Sequence, residues 1–256
     1  MSRADRRRGK AGPPKDAASL RAAIASARLP GVPTDAANRA RRILTAYVEA
    51  AMRQSKPFPD LVRDLKSGTP AVTVARVELA QAPDDQGYAC AQGCAFCCIL
   101  PGQDGGTITE SEARTLHAAL APRAGEPDGR AWHPRACPSL DPETRQCRAY
   151  DARPTICRAY VSYDAKACEQ ISQGIPAEGS GVISAQITAL HVHALTRAAL
   201  KGTAKVATYA LRDIAAAAVE GAPIDAALTR ARHRPRELED EVKRATQGYA
   251  EARAGG

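Results

Sequence analysis

Eight cysteines between Cys90 and Cys168 restrict what this chain can form more than any other feature of its sequence. Four of them fall within nine residues, Cys90-Ala-Gln-Gly-Cys94-Ala-Phe-Cys97-Cys98. The residues before Cys90 and after Cys168 include no cysteine. No secretion signal is recognisable, because charged residues interrupt the stretch after Arg6-Arg7-Arg8. We therefore expect a cytoplasmic protein whose thiols stay reduced and bind metal, whereas a disulfide framework would need an oxidising compartment.

The composition favours closely packed helices. Aromatic residues make up only 4% of the 256 residues, so the core must consist mainly of Ala, Leu, Val and Ile. No segment reaches the roughly 18 apolar residues of a membrane helix. We expect a mainly α fold: one helical domain around an irregular cysteine-rich metal-binding core, with at most a small β-hairpin.

The net charge of +8 is concentrated at the start of the chain. Residues 1–15 contain six basic residues and one acidic residue, which leaves little charge excess on the remainder. We interpret residues 1–16 as a disordered basic tail, the one part suited to contact nucleic acid or acidic lipid. The near-neutral remainder with few aromatics argues against a nucleic-acid-binding module.

Residues 17–256 are predicted to form a single domain, with the metal-binding core at about 88–170 and helical flanks at 17–82 and 182–253. Helices are expected after residue 16, at 35–55 with Thr34 or Asp35 as its cap, and at 71–82, where a strand is the alternative. Thr109 and Glu112 form a capping box that predicts a helix over 110–121. A hairpin is predicted around Cys137–Tyr150. Further helices are predicted at 182–200, 204–220 and 224–232, and from Pro235 with Leu238, Val242, Ala245 and Tyr249 on one face.

Thiolate sulfur is a strong ligand for zinc and for iron–sulfur clusters. Cys90, Cys94 and Cys97 can surround one centre, whereas the side chains of adjacent Cys97 and Cys98 point in different directions. Cys98 can bind a second centre or pack as a small apolar residue. Zinc ribbons usually pair two CxxC knuckles, but the later cysteines lie about ten residues apart, which favours an iron–sulfur cluster over zinc. These later cysteines are Cys137, Cys147, Cys157 and Cys168.

Arginines and a histidine accompany the cysteines. A four-thiolate centre is negatively charged, and nearby guanidinium groups would stabilise it. We expect this stabilising role for Arg153 and Arg158, which flank Cys157. The other arginines of the region are expected to be ordinary solvated residues: Arg135, Arg145 and Arg148. His133 could complete a site, whereas His117, His191 and His193 are expected to be surface or packed residues.

The ordered motifs resemble a known family. The block Cys90–Cys98, the segment Cys137-Pro-Ser-Leu140 and the run Cys147-Arg-Ala-Tyr150-Asp-Ala-Arg153-Pro154-Thr-Ile-Cys157-Arg158 look like the YkgJ-like cysteine-cluster family, whose members are described as zinc- or iron-chelating proteins. The resemblance continues to Cys168 and covers about 80 residues. It implies that all eight cysteines are metal-ligand candidates. Ser139 departs from the family, which often has a bulky residue there.

Several functions remain open at this stage. The first is a metal-binding protein with a structural, electron-transfer or maturation role, with a partner protein as one option. The alternative is an S-adenosylmethionine-dependent enzyme. Cys90-x3-Cys94-x2-Cys97 fits the radical type, and a distant branch of the family includes flagellin lysine methylases. The chain lacks the alternating strand and helix pattern of the radical enzymes. It also lacks a glycine-rich nucleotide loop after a strand, which argues against the methylase activity.

Overall fold

The structure is a computed structural model that describes residues 12–81, 87–102, 104–178 and 180–254. The predicted mainly helical fold is confirmed, with 59% of the described residues in helices. Most of the predicted tail, residues 1–11, lies outside the described residues, as does the side chain of Tyr249.

Four helices form the N-terminal part: α1 (Ala17–Ser26), α2 (Thr34–Arg53), α3 (Phe58–Ser67) and α4 (Thr69–Gln81). Asp16 caps α1 through the backbone N–H of Ser19. The predicted cap of α2 is wrong, because the helix begins at Thr34 itself after Pro33 and has no side-chain cap. Sequence analysis missed α3, which follows Pro57 and has Pro59 in its first turn, a position that proline suits.

The middle of the chain is irregular. A 3₁₀ turn spans Phe96–Ile99, and the elements that follow are β1 (Thr107–Ile108), α5 (Glu110–Leu120), α6 (Thr155–Ala159), β2 (Tyr160–Ser162) and α7 (Ala165–Ser172). The capping box predicted for α5 is present, and its expected apolar face is buried. The hairpin predicted over Cys137–Tyr150 is reduced to a single bridge between Leu140 and Cys147.

The C-terminal part contains β3 (Ser180–Val182), α8 (Ser184–Ala199), β4 (Tyr209–Ala210), α9 (Leu211–Val219), α10 (Ile224–Arg230) and α11 (Glu237–Ala254). The helix predicted over 204–220 starts only at Leu211. The residues just before β4 are not helical in the structure. Side chains of α8 bind this segment, because Arg197 Nε donates to the Val206 carbonyl and His193 Nε2 binds the Ala207 carbonyl.

The four described strands form two antiparallel pairs. Thr107 and Ile108 of β1 lie opposite Ala210 and Tyr209 of β4. Strand β2 pairs with β3, with Tyr160 opposite Val182. Both pairs join the cysteine-rich segment to the C-terminal part of the chain.

Two main hydrophobic clusters and one smaller cluster organise the fold, and α8 contributes to the first and the third. One side of α8 packs with α1, α2, α3 and α4, through residues such as Leu44, Val48 and Leu195. The second cluster joins α5, α9 and α10 to the cysteine-rich segment and includes Cys137. A third, smaller cluster packs α11 against α8 through Leu238 and Val242. The cysteines therefore lie at the edge of a helical core.

A search of the described residues for a long apolar helix that could span a membrane found no candidate.

Candidate metal centre

The cysteine block runs from a strand edge into a 3₁₀ turn. The backbone N–H of Ala89 donates to the Ser162 carbonyl at 2.8 Å, which fixes the chain just before Cys90. Gly93 has a φ of 78°, a left-handed conformation that lets the block reverse direction. Cys97 and Cys98 then lie in the Phe96–Ile99 turn with their sulfurs 4.0 Å apart.

A second segment places Cys137 and Cys147 beside this turn. The backbone N–H of Cys137 donates to the Cys98 carbonyl at 3.0 Å. The bridge between Leu140 and Cys147 returns the chain to the same place. Asp141 closes the intervening turn, because its Oδ1 accepts from the backbone N–H groups of Glu143 and Thr144. These hydrogen bonds lower the pKa of Asp141 to about 2, with Arg148 contributing.

Cys157 and Cys168 are supplied by short helices. Cys157 lies in α6, whose first residue, Thr155, donates its backbone N–H to Glu112 Oε1 at 2.8 Å. Glu112 Oε2 also accepts from the backbone and hydroxyl of Thr109, so this buried carboxylate binds the starts of both α5 and α6. Cys168 lies in α7, which packs on the Phe96–Ile99 turn and leaves Cys168 only 7% exposed.

Four cysteines form a mutually interacting set: Cys97, Cys137, Cys147 and Cys157. Burial raises the pKa of Cys157 well above its usual value, and the charges of the other three raise it further. Burial raises the pKa of Cys147 to about 11, with added effects of Cys137 and Cys97. Burial also raises the pKa of Cys137, and Cys97 adds to that rise. Every pair in the set is therefore close enough for one charge to act on the other.

Cys98 also interacts with this set, because its hydrogen bond to Cys97, its burial and the charges of Cys97, Cys137 and Cys157 all raise its pKa. A hydrogen bond from the Cys98 thiol is the main cause that lowers the pKa of Cys97 to about 7, and the same bond raises the pKa of Cys98. Two thiolates bound at about 2.3 Å to one tetrahedral zinc ion lie about 3.8 Å apart. The 4.0 Å between these sulfurs is close to that spacing, so the expectation that the two side chains diverge is not met.

Cys90, Cys94 and Cys168 form a second group. Burial raises the pKa of Cys168, and the charges of Cys94, Cys90 and Cys97 raise it further. Cys90 is exposed and Cys94 is half-buried. The structure therefore brings Cys97 to both groups and does not single out Cys90, Cys94 and Cys97 as one set.

The donor atoms fit a thiophilic metal. All eight cysteines are free thiols. Among the described residues, no three or more Cys, His, Asp or Glu side chains already stand in a metal-holding arrangement. Binding of an ion or a cluster therefore requires the thiols to turn towards a common point.

Arginines supply positive charge to one side of the centre. Arg153 lies 3.6 Å from the Tyr150 ring centroid, and its charge helps to lower the pKa of Cys97. Arg158 donates to the carbonyls of Arg153 and Asp151 and so supports the loop that carries Arg153. The other three arginines contact groups other than the cysteines. Arg135 donates to the Ser172 carbonyl, Arg148 donates to the Asp141 carboxylate, and Arg145 lies over the Trp132 ring.

The structure shows the surroundings of the histidines considered above. It also shows one arginine near the cysteines, Arg212, that sequence analysis missed. His133 accepts a hydrogen bond from the Arg135 backbone, and His191 and His193 are buried in α8. Arg212, at the start of α9, donates to the carbonyls of Cys98, Leu100 and Gly102. An ordinary helical arginine 114 residues beyond Cys98 gave no sequence signal.

Eight free cysteines lie on loops, turns and short helices at the edge of a helical core. Residues 89–174, which include all eight, match the model of the CxxCxxCC family, described as a "putative zinc- or iron-chelating domain". The predicted resemblance to a cysteine-cluster family of zinc- or iron-chelating proteins is thereby confirmed for this segment. Comparisons with curated proteins and with solved structures gave no significant match.

Proposed function

We propose that this protein binds iron or zinc at a thiolate centre built on Cys97, Cys137, Cys147 and Cys157. The observation that carries the proposal is that a hydrogen bond from Cys137 to Cys98 and the bridge between Leu140 and Cys147 bring two later cysteines beside the turn of Cys97. The effect of all four thiols on one another's pKa supports this grouping. Free thiols in this number also belong in a reducing compartment such as the cytoplasm.

An iron–sulfur cluster is the first candidate for the bound group. Each iron of a [4Fe–4S] cluster takes one protein thiolate, so a set of four neighbouring cysteines matches the ligand count. Such a cluster would use Cys97 and leave Cys98 as its hydrogen-bonded neighbour. A cluster would supply one-electron chemistry, which supports an electron-transfer role, and Arg153 would offset its negative charge.

Zinc is the second candidate, favoured by one distance. The 4.0 Å between the sulfurs of Cys97 and Cys98 suits two ligands of a single tetrahedral ion. In that arrangement Cys98 is one of the four zinc ligands, and one thiol among Cys97, Cys137, Cys147 and Cys157 does not bind the ion. A bound zinc ion would have a structural role or serve in maturation with a partner protein.

Metal analysis of the full chain tests the proposal. Iron, zinc and acid-labile sulfide are measured per chain after anaerobic purification, together with the absorption spectrum. About four iron and four sulfide with a broad visible band indicate the cluster, whereas about one zinc without colour indicates the tetrahedral site. A chain that retains neither metal, also after reconstitution, contradicts the proposal.

Two cysteine substitutions separate the candidates. Cys98→Ser removes a zinc ligand but leaves all four cluster ligands, so it abolishes zinc binding and preserves a cluster. Cys147→Ser removes a cluster ligand and abolishes the cluster. Cys168→Ser is the matched control, because Cys168 is also buried but lies outside the four-thiol set. Equal metal loss in all three variants would contradict the grouping.

The geometry does not extend the proposal to an S-adenosylmethionine-dependent enzyme. A radical enzyme would need Cys90, Cys94 and Cys97 around one cluster, but the charge of Cys97 acts on three later cysteines as well as on Cys168, which Cys90 and Cys94 also affect. No structural observation favours methyl transfer either. The tail proposed to contact nucleic acid lies mostly outside the described residues.

A further inference from the structure

Two buried hydrogen-bond donors near Cys137 lack an acceptor. Among the described residues, the hydroxyl of Ser139 and the Nε of Arg212 are buried side-chain atoms without a hydrogen-bond partner. A buried donor without an acceptor is unfavourable, and such groups in folded proteins usually have an explanation. A thiolate beside both donors would provide one.

Arg212 approaches Cys137 through a shared carbonyl. Its Nη2 donates to the Cys98 oxygen at 3.2 Å, and the backbone N–H of Cys137 donates to that same oxygen at 3.0 Å. Nη2 also donates to the Leu100 carbonyl, and Nη1 donates to the Gly102 carbonyl. Of the N–H groups that remain on this guanidinium, the one on Nε is buried and has no acceptor.

Ser139 belongs to the turn that carries Cys137. The backbone N–H of Leu140 donates to the Cys137 carbonyl at 3.0 Å, and the Ser139 carbonyl accepts from the backbone N–H of Arg148 at 2.8 Å. These bonds fix the turn and leave the Ser139 side chain 3% exposed beside the thiol. Burial raises the pKa of Cys137, while the side chain and backbone of Ser139 and the charge of Arg212 lower it, which agrees with their proximity to the thiol. The Ser139 hydroxyl nevertheless has no acceptor with hydrogen-bond geometry.

We propose that Ser139 and Arg212 donate hydrogen bonds to the Cys137 thiolate once it binds metal, and that they are positioning residues of the centre. This inference rests on the proposed function. Hydrogen bonds to a ligating sulfur stabilise the thiolate against protonation and withdraw charge from it, so they increase metal affinity at neutral pH and tune the metal. Arg212 lies outside residues 89–174, so the site would depend on a helix beyond the family segment.

Cobalt(II) is the probe, because a tetrahedral thiolate site binds it with intense sulfur-to-cobalt charge-transfer bands. Full-length protein, demetallated and reduced, is titrated with cobalt(II), and zinc affinity is then measured by competition. In Ser139→Ala the sulfur electrons are held less tightly, so the charge-transfer band moves to longer wavelength. Metal affinity is expected to fall about tenfold, as for other groups that hydrogen-bond a metal ligand.

Two controls separate this effect from loss of packing. Ser172→Ala removes another buried hydroxyl of the same segment, which donates to the Glu169 carbonyl, and should leave the band and the affinity unchanged. Arg212→Lys keeps the charge without the Nε donor and should shift the band as Ser139→Ala does. Arg197→Lys is its control, because Arg197 also binds two carbonyls but in another part of the fold.

The outcomes are distinguishable. If Ser139→Ala matches Ser172→Ala in spectrum and affinity while the unmodified chain binds cobalt, the inference is overturned and the proposed function stands. If the unmodified chain binds no metal at all, the proposed function fails and the inference with it.

Discussion

Gly129 lies against the turn that carries Cys137. A Cβ atom at this position would clash with the Cys137 carbonyl oxygen and lie 2.9 Å from the Leu140 Cβ. We predict that Gly129→Ala lowers the free energy of unfolding by about 1–3 kcal/mol, the usual cost of overpacking. Urea unfolding of the metal-free protein measures the change.

Gly181→Ala is the control for this prediction, because a Cβ atom there meets nothing within 4 Å. It should change stability by less than about 0.5 kcal/mol, as most surface substitutions do. A loss of the same size in both variants would show that the contact with Cys137 is not responsible.

At the scale of elements, Glu112 joins two helices that are distant in sequence. Its carboxylate accepts from Thr109 at the start of α5 and from Thr155 at the start of α6, which carries Cys157. Glu112→Gln replaces one acceptor oxygen with an NH₂ group that cannot accept. We predict a loss of about 2 kcal/mol in unfolding free energy, typical of hydrogen bonds to a buried charge, measured by chemical denaturation.

Glu110→Gln, in the same first turn of α5, is the comparison. Glu110 forms an ion pair with the half-exposed Arg114 at 3.0 Å, and such pairs contribute no more than about 1 kcal/mol. The prediction fails if the two variants are equally stable. Metal affinity should also fall only in Glu112→Gln, because α6 loses its anchor.

The sequence predicted the elements whose signals are local. The capping box of Thr109 and Glu112, the apolar periodicity of α2 and the helical nature of α8 all follow from spacing within one segment. The second hydrogen bond of Glu112, to Thr155, could not be predicted because it depends on tertiary packing. The short α6 and α7 offer too few turns for a periodic pattern, and the predicted hairpin gave way to a tight turn closed by Asp141.

At the scale of the whole molecule, α8 makes stability depend on pH. His193 is 2% exposed in the centre of the fold, and burial lowers its pKa to about 4. The unfolded chain therefore binds this proton at a higher pH than the folded chain, near 6.5. Stability is expected to fall as the pH drops from about 6.5 to about 4, by up to about 3 kcal/mol at about 1.4 kcal/mol per pKa unit.

His193→Gln isolates this contribution, because glutamine has no titrating group but can still donate to the Ala207 carbonyl. Unfolding free energies of both proteins are measured from pH 7 to pH 4, a range in which other groups titrate equally in both. The wild-type curve should fall more steeply on acidification. Parallel curves would contradict a neutral, buried His193.

The site was predictable in composition but not in grouping. The clustering of the cysteines indicated metal binding, the family resemblance implied all eight as candidates, and the spacing suggested Cys90, Cys94 and Cys97 as one set. The structure instead surrounds Cys97 with cysteines 40 to 60 residues away in sequence, because loop 134–149 and α6 fold back onto the Phe96–Ile99 turn. Such folding depends on hydrogen bonds like that from Cys137 to Cys98, which no pattern in the sequence encodes.

The contact between Arg212 and the Cys98 carbonyl has a consequence for biosynthesis. The two residues are 114 positions apart, so at about 5–20 residues per second the ribosome completes Arg212 roughly 6–23 s after Cys98. During that interval the nascent thiols lack the arginine that fastens their loop. Stable metal insertion should therefore follow synthesis of α9, and the emerging cysteines must meanwhile be kept reduced by the cell.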